Sequence, residues 1–179
     1  MRKLQIGVIG SMADVKLKNS LKEIAKMLGE KIANNDAILV FGFEGDFDSL
    51  SSIAAEAAEK VGGQTLAFTW GSNKLGFGKL DSIEVATGQQ RGGGREFPFI
   101  LSCDVIISIC GGSGTLMEIA MAYQAGIPVV VLKNSSGWSE KLSDQFLDNR
   151  NREKILGVKN PQETVKLALK LARRKNGYI

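Results

Sequence analysis

The sequence predicts an α/β fold, a doubly wound and mainly parallel sheet with helices on both faces. Three observations carry this expectation. Short apolar runs alternate with segments whose apolar residues recur every three or four positions. The runs are nearly continuous in hydrophobicity, as expected of strands buried on both sides. Several of them end in glycine where a helix should begin.

KLQIGVIG (3–10) predicts the first strand. Leu17, Leu21, Ile24, Leu28 and Ile32 form a helical stripe after it. AILVFGF (37–43) predicts the second strand, and Asp48 is the expected cap of a helix carrying Leu50, Ile53, Ala54, Ala57 and Val61. QTLAFTW (64–70) predicts a third strand, and SIEVAT a short one inside a glycine-rich stretch from Gly71 to Gly94. A short helix over 96–102 leads into DVIISIC (104–110), the most strand-like run. The next helix, opened by GGSGT, ends at Gly126 and is followed by the strand PVVVL (128–132). A helix is expected over 140–147 and a short strand at ILGV (155–158). Asn160-Pro161-Gln162-Glu163 has the form of a capping box with proline at the first helical position, opening a basic helix to about Lys175. This layout is that of a single Rossmann-like domain spanning residues 1–179, with no repeat or linker.

Composition bounds the function. The 179 residues are 44% hydrophobic and 23% charged, an ordinary globular mixture. No apolar stretch reaches the ~20 residues of a membrane span, and a soluble, cytoplasmic protein is expected. There is no histidine, so Ser-His-Asp chemistry, Cys-His chemistry and histidine-zinc sites are excluded. Cys103 and Cys110, the two cysteines, flank one strand and are expected to form no disulfide and to hold no metal. No cofactor is expected. From Asn149 onward nine Lys/Arg face two Asp/Glu, while the whole chain carries +4. A solvated helix face with a basic last turn explains this excess without nucleic acid.

The chemistry concentrates in CGGSGTLME (110–118). The motif lacks the Gly-Lys-Ser/Thr of a P-loop and the third glycine of a dinucleotide fingerprint. Strand, glycine turn and helix N-terminus remain. Gly111, Gly112, Ser113, Gly114 and Thr115 are therefore expected to bind an anion through free N–H groups, with the Thr115 hydroxyl as a further donor. Gly10-Ser11 and Gly42 end two other strands and should border the same crevice. Glu118, one turn into the helix, should face its rim, where a carboxylate suits a sugar hydroxyl or positive charge developing at C1′. Arg91 and Arg95, in GQQRGGGREF (88–97), suit a phosphate or a carboxylate.

Taken together, these residues resemble the LOG family of the SMF/DprA–LOG superfamily, a Rossmann-like group often labelled lysine decarboxylase that includes molybdenum cofactor carriers. The family pattern is an arginine opening a helix, an aspartate starting a strand, then PGGxGTxxE. Arg95, Asp104 and Gly111–Glu118 fall at that spacing, and the resemblance covers about residues 2–132. Nothing in the chain suits pyridoxal phosphate chemistry. The resemblance implies phosphate on the GGSGT turn, ribose against Glu118 and Arg95 at the reaction centre, with Arg95 and Glu118 catalytic in hydrolysing the N-glycosidic bond of a nucleoside 5′-monophosphate. It also implies a homo-oligomer, dimeric or larger. The chain departs from the pattern in three places: Cys110 replaces proline, Glu96 replaces lysine or asparagine, and GFEGDFDSL replaces a glycine triplet followed by Gly-Leu-Met.

Three readings follow. The first is a nucleoside monophosphate phosphoribohydrolase, favoured by the presence of both Arg95 and Glu118. The alternative is a non-catalytic carrier of molybdenum cofactor or another phosphorylated nucleotide- or pterin-type ligand, favoured by the altered second-strand segment. A single-strand DNA binder ranks last, because Trp70, Phe77 and Trp138 are not interleaved with the basic end.

Overall fold

A computed structural model describes residues 2–11, 16–46, 48–78 and 82–177. The strands are β1 (Gln5–Gly10), β2 (Ile38–Phe43), β3 (Thr65–Thr69), β4 (Ser82–Ala86), β5 (Val105–Ile109), β6 (Val129–Leu132) and β7 (Leu156–Val158). The helices are α1 (Asn19–Asn34), α2 (Leu50–Lys60), α3 (Glu96–Leu101), α4 (Ser113–Gln124), α5 (Gly137–Lys141) and α6 (Pro161–Lys175). The seven strands form one sheet in the order β4-β3-β2-β1-β5-β6-β7, and every pairing is parallel.

Side-chain alternation divides the strands between two cores. Val105, Ile107 and Ile109 join Ile6, Val8, Leu39 and Phe41 under α1, α2 and α6. Ile106 joins Ile9, Val40, Val129 and Val131 on the other face, under α3 and α4. The inner strands β1, β2, β5 and β6 thus bury side chains on both faces, which is why their sequences read as near-continuous apolar runs. Among the described residues, no helix is long and apolar enough to cross a membrane.

Two local expectations are corrected and a third is met in part. Ser49, not Asp48, caps α2: its Oγ accepts a hydrogen bond from Ser52 N at 3.2 Å. Asp48 points outward and lies 3.9 Å from Lys22. The helix expected over 140–147 is instead the earlier and shorter α5. Ser136 and Gly137, both at positive φ, turn the chain into it, and Asp144 at φ 60° stops helical propagation before Phe146 bridges Lys154. The capping box at α6 forms its forward half, with Asn160 Oδ1 accepting from Glu163 N at 2.9 Å.

Asp104 ties the sheet's start to the chain's end. Its carboxylate accepts from Arg2, from Gln5 N at 2.8 Å and from Asn176 Nδ2 at 3.0 Å. Burial alone would raise its pKa, but these donors outweigh burial and hold it below the usual aspartate value.

Candidate functional site

The connection from β4 to β5 returns from one edge of the sheet to its middle, beside β1, opening a crevice between the carboxyl ends of β1 and β5. A cavity of about 350 Å³ lies there. It is lined by the ends of β1 (Gly10, Ser11) and β2 (Gly42), the segment before α2 (Glu44, Asp46, Ser49), the loop and start of α3 (Arg91, Arg95, Glu96), and the start of α4 (Gly112–Thr115, Glu118). All the site residues expected from the sequence line it except Gly111, which is buried behind the turn.

That turn is held from behind. Cys110 and Gly111 both have positive φ, at 58° and 96°. A Cβ on Gly111 would stand 2.4 Å from Thr115, so only glycine fits. Gly111 N donates to Ser11 Oγ at 3.1 Å, and Cys110 N to Ser135 Oγ at 2.9 Å. On the acceptor side, Trp138 N reaches Gly111 O at 2.9 Å and Ser139 N reaches Cys110 O at 3.0 Å. The segment entering α5, whose positive-φ residues the sequence did not reveal, therefore braces the turn. Among the described residues nothing accepts a hydrogen bond from the N–H groups of Ser113, Gly114 and Thr115, and they open a twelve-residue helix. They form a donor cluster at the positive end of a helix dipole. The Thr115 hydroxyl is turned inward, 3.3 Å from Gly10 O.

Arg95 occupies the opposite wall, only 4% exposed. Its Nη2 donates to Glu44 Oε1 at 2.9 Å and to Glu96 Oε1 at 2.8 Å, and its Nε donates to Glu96 Oε1 at 3.1 Å. The guanidinium lies flat on β2 because Gly42 leaves room: a Cβ there would be 1.9 Å from Nη1. Arg91 sits over the same group, its Nη1 3.0 Å from Glu44 Oε2. Both arginines are thus committed to carboxylates. Sequence reasoning noted Glu44 and Glu96 only as departures from a family pattern. The structure makes them partners, since two positions far apart in the chain grip one arginine.

The electrostatics follow from this crowding. Burial raises the Glu44 pKa, and the two arginines offset it only in part. Burial also pushes on Glu96, but Arg95 and the Gly92 N–H outweigh it and keep the group below its ordinary value. Glu118 faces the cavity and, among the described residues, has no hydrogen-bond or ion-pair partner. Burial drives its pKa up to about 8; Arg95 opposes this, while Glu96 and Glu44 add to it. The Glu118 carboxyl is therefore shifted toward its protonated form.

A seven-stranded parallel sheet with a glycine turn at its switch point defines a Rossmann-like protein. The chain belongs to the SLOG cluster4 family, whose model matches residues 3–165. It is 32% identical over 133 residues to an uncharacterized protein of Archaeoglobus fulgidus, covering 74% of this chain and 82% of that protein. Among solved structures it resembles TM1055, at 25% identity and TM-score 0.81, covering 93% of this chain and 99% of that one. It also resembles the molybdenum cofactor carrier protein of Chlamydomonas reinhardtii, at 27% identity and TM-score 0.77, covering 95% and 98%. The molybdenum cofactor binding protein of Rippkaea orientalis is similar at 26% identity and TM-score 0.77, covering 96% and 98%. DNA processing protein A of Helicobacter pylori, at 19% identity, shares the fold alone.

Proposed function

We propose that this protein binds and holds a small phosphorylated ligand of nucleotide or pterin type, in the manner of a carrier. The observation that carries this reading is the state of Arg95. The phosphoribohydrolase reading needs its guanidinium at the reaction centre, but here it is buried and spent on Glu44 and Glu96. The phosphate is left to the N–H groups that open α4, which bind an anion without any arginine. The likeness to two molybdenum cofactor binders over nearly their whole length supports the same reading.

One observation favours a hydrolase instead. Glu118 faces the cavity with its pKa raised by burial to about 8, the direction a general acid needs when it protonates a departing base. The two readings separate in one experiment. The protein is incubated with a panel of nucleoside monophosphates, binding is followed by calorimetry and free base by chromatography. Binding without base release supports the carrier reading. Steady, stoichiometry-exceeding base release overturns it.

A further inference from the structure

On the face of the sheet opposite α3 and α4, a groove of about 720 Å³ runs between the C-terminal end of α1 and the outer side of α6. It shares no lining residue with the cavity at the strand ends. Four cations, Lys31, Lys166, Lys170 and Arg173, line it against one carboxylate, Glu163. Among the described residues none of the four forms an ion pair, with Glu163 or with any other acid. Lys31 and Arg173 sit in the last turns of their helices, where the dipole favours a cation. Lys166 and Lys170 lie in the middle of α6, where no helix end calls for a positive charge. Between the charges the lining is carbon, from Val165, Leu167 and Leu169. A solvated helix face accounts for cations on α6, but not for a carbon-lined groove with cations along it.

We infer that this groove docks an acidic amphipathic helix of a partner protein. Lys166, Lys170 and Arg173 stand at i, i+4 and i+7 on α6, a single row about 10 Å long. A partner helix with carboxylates at the same spacing meets that row charge for charge, and apolar residues beside them cover Leu167. Complementary charge of this kind steers the encounter and fixes the register, while the carbon lining adds affinity. A second copy of this chain does not supply such a helix: among the described residues no helix carries more than two acidic residues. Two copies meeting groove to groove would set like charges against each other. Single-stranded nucleic acid needs aromatic platforms, and no aromatic residue lines the groove. Docking here is independent of what the cavity at the strand ends binds, because the two share no lining residue.

The probe is a fluorescein-labelled helical peptide of about 18 residues with glutamates at i, i+4 and i+7 beside a leucine stripe, and its binding to the full chain is followed by fluorescence anisotropy. A peptide of the same composition in scrambled order is the control. The ordered peptide should bind at least about ten-fold more tightly than the scrambled one, and should weaken as salt rises from about 50 to about 300 mM. Lys170→Ala, the mildest change, should weaken binding by about two- to five-fold. Replacing Lys166, Lys170 and Arg173 together by glutamate should abolish the preference; all three side chains are exposed, and circular dichroism checks that the variant folds. That variant should in turn prefer a peptide whose glutamates are exchanged for lysines, which loss of structure cannot produce. Equal affinities for ordered and scrambled peptides, or a preference that survives the triple substitution, would overturn the inference. A short DNA duplex that binds more tightly than the peptide and is lost from the triple variant would overturn it in favour of a nucleic-acid surface.

Discussion

Replacing Gly42 by alanine tests whether the Arg95 cluster is built as described. The new Cβ would stand 1.9 Å from Arg95 Nη1 and 2.9 Å from Cζ. An ordinary contact needs about 3.5 Å, so the guanidinium must retreat by about 1.5 Å. Its bonds to Glu44 and Glu96, at 2.9 and 2.8 Å, would then exceed hydrogen-bonding range or bend badly. Bonds between charged groups contribute about 1.5–3 kcal/mol each, and leaving a buried carboxylate without its cation costs more. Arginine is long and can recover part of the loss, so the net destabilisation should be about 2–4 kcal/mol. For a chain of this size that corresponds to a fall in Tm of roughly 5–15 °C. Gly112→Ala is the matched control, because a Cβ at Gly112 meets nothing within 4 Å. It should unfold within about 0.5 kcal/mol of wild type. Urea denaturation of the three proteins, followed by circular dichroism, supplies the comparison. A Gly42→Ala midpoint equal to wild type would refute the reasoning.

Glu118→Gln should gain stability relative to wild type as pH rises. The folded pKa of about 8 lies above the ordinary 4.5, so folding takes up a proton between these values. Wild-type stability therefore falls through that window, by at most about 1.4 kcal/mol per pH unit, and levels off above it; a stability difference that does not change between pH 5 and 8 would contradict the assignment. Asp104 behaves in the opposite sense, because its folded pKa is lowered. Asp104→Asn should cost about 1–3 kcal/mol at pH 7, with a penalty that shrinks as the wild-type carboxylate is protonated in acid, measured by urea denaturation at pH 7 and pH 3. Cys110→Pro, which restores the residue found in the LOG pattern, should destabilise by about 3 kcal/mol or more. Proline requires negative φ and donates no hydrogen bond, whereas Cys110 stands at φ 58° and donates to Ser135. A Tm equal to wild type would show that the turn can adopt the other backbone.

The layered fold was legible in the sequence because strands buried on both faces and amphipathic helices leave different periodicities. The turn before α4 was legible because its three glycines exceed what a simple connection needs. Local errors arose where neighbouring residues compete for one role. Asp48 and Ser49 are both good caps, and only the backbone decides which side chain reaches Ser52 N. Ser136 gave no sign that it would adopt positive φ, so α5 was placed too late in the chain. The Arg95 cluster was hidden for a different reason. The bond between Glu44 and Arg95 spans 51 positions, and no local pattern announces it. The one available signal was that Glu44 and Glu96 both depart from the family pattern, yet neither departure reveals that they meet at the same guanidinium. Glu118 was read correctly as facing the crevice, but its proton depends on the charges around it and so on the folded arrangement.

The claim that a phosphorylated ligand sits on the start of α4 is tested most directly by amide NMR. The ¹⁵N-labelled protein is titrated with GMP, and the Gly112, Ser113, Gly114 and Thr115 resonances are followed. Among the described residues these amides have no hydrogen-bond acceptor, so a phosphate that binds them should shift them downfield, saturably and ahead of other residues. Saturable shifts confined to another surface, such as the groove between α1 and α6 lined by Lys31, Lys166 and Arg173, with the α4 amides unmoved, would contradict the account.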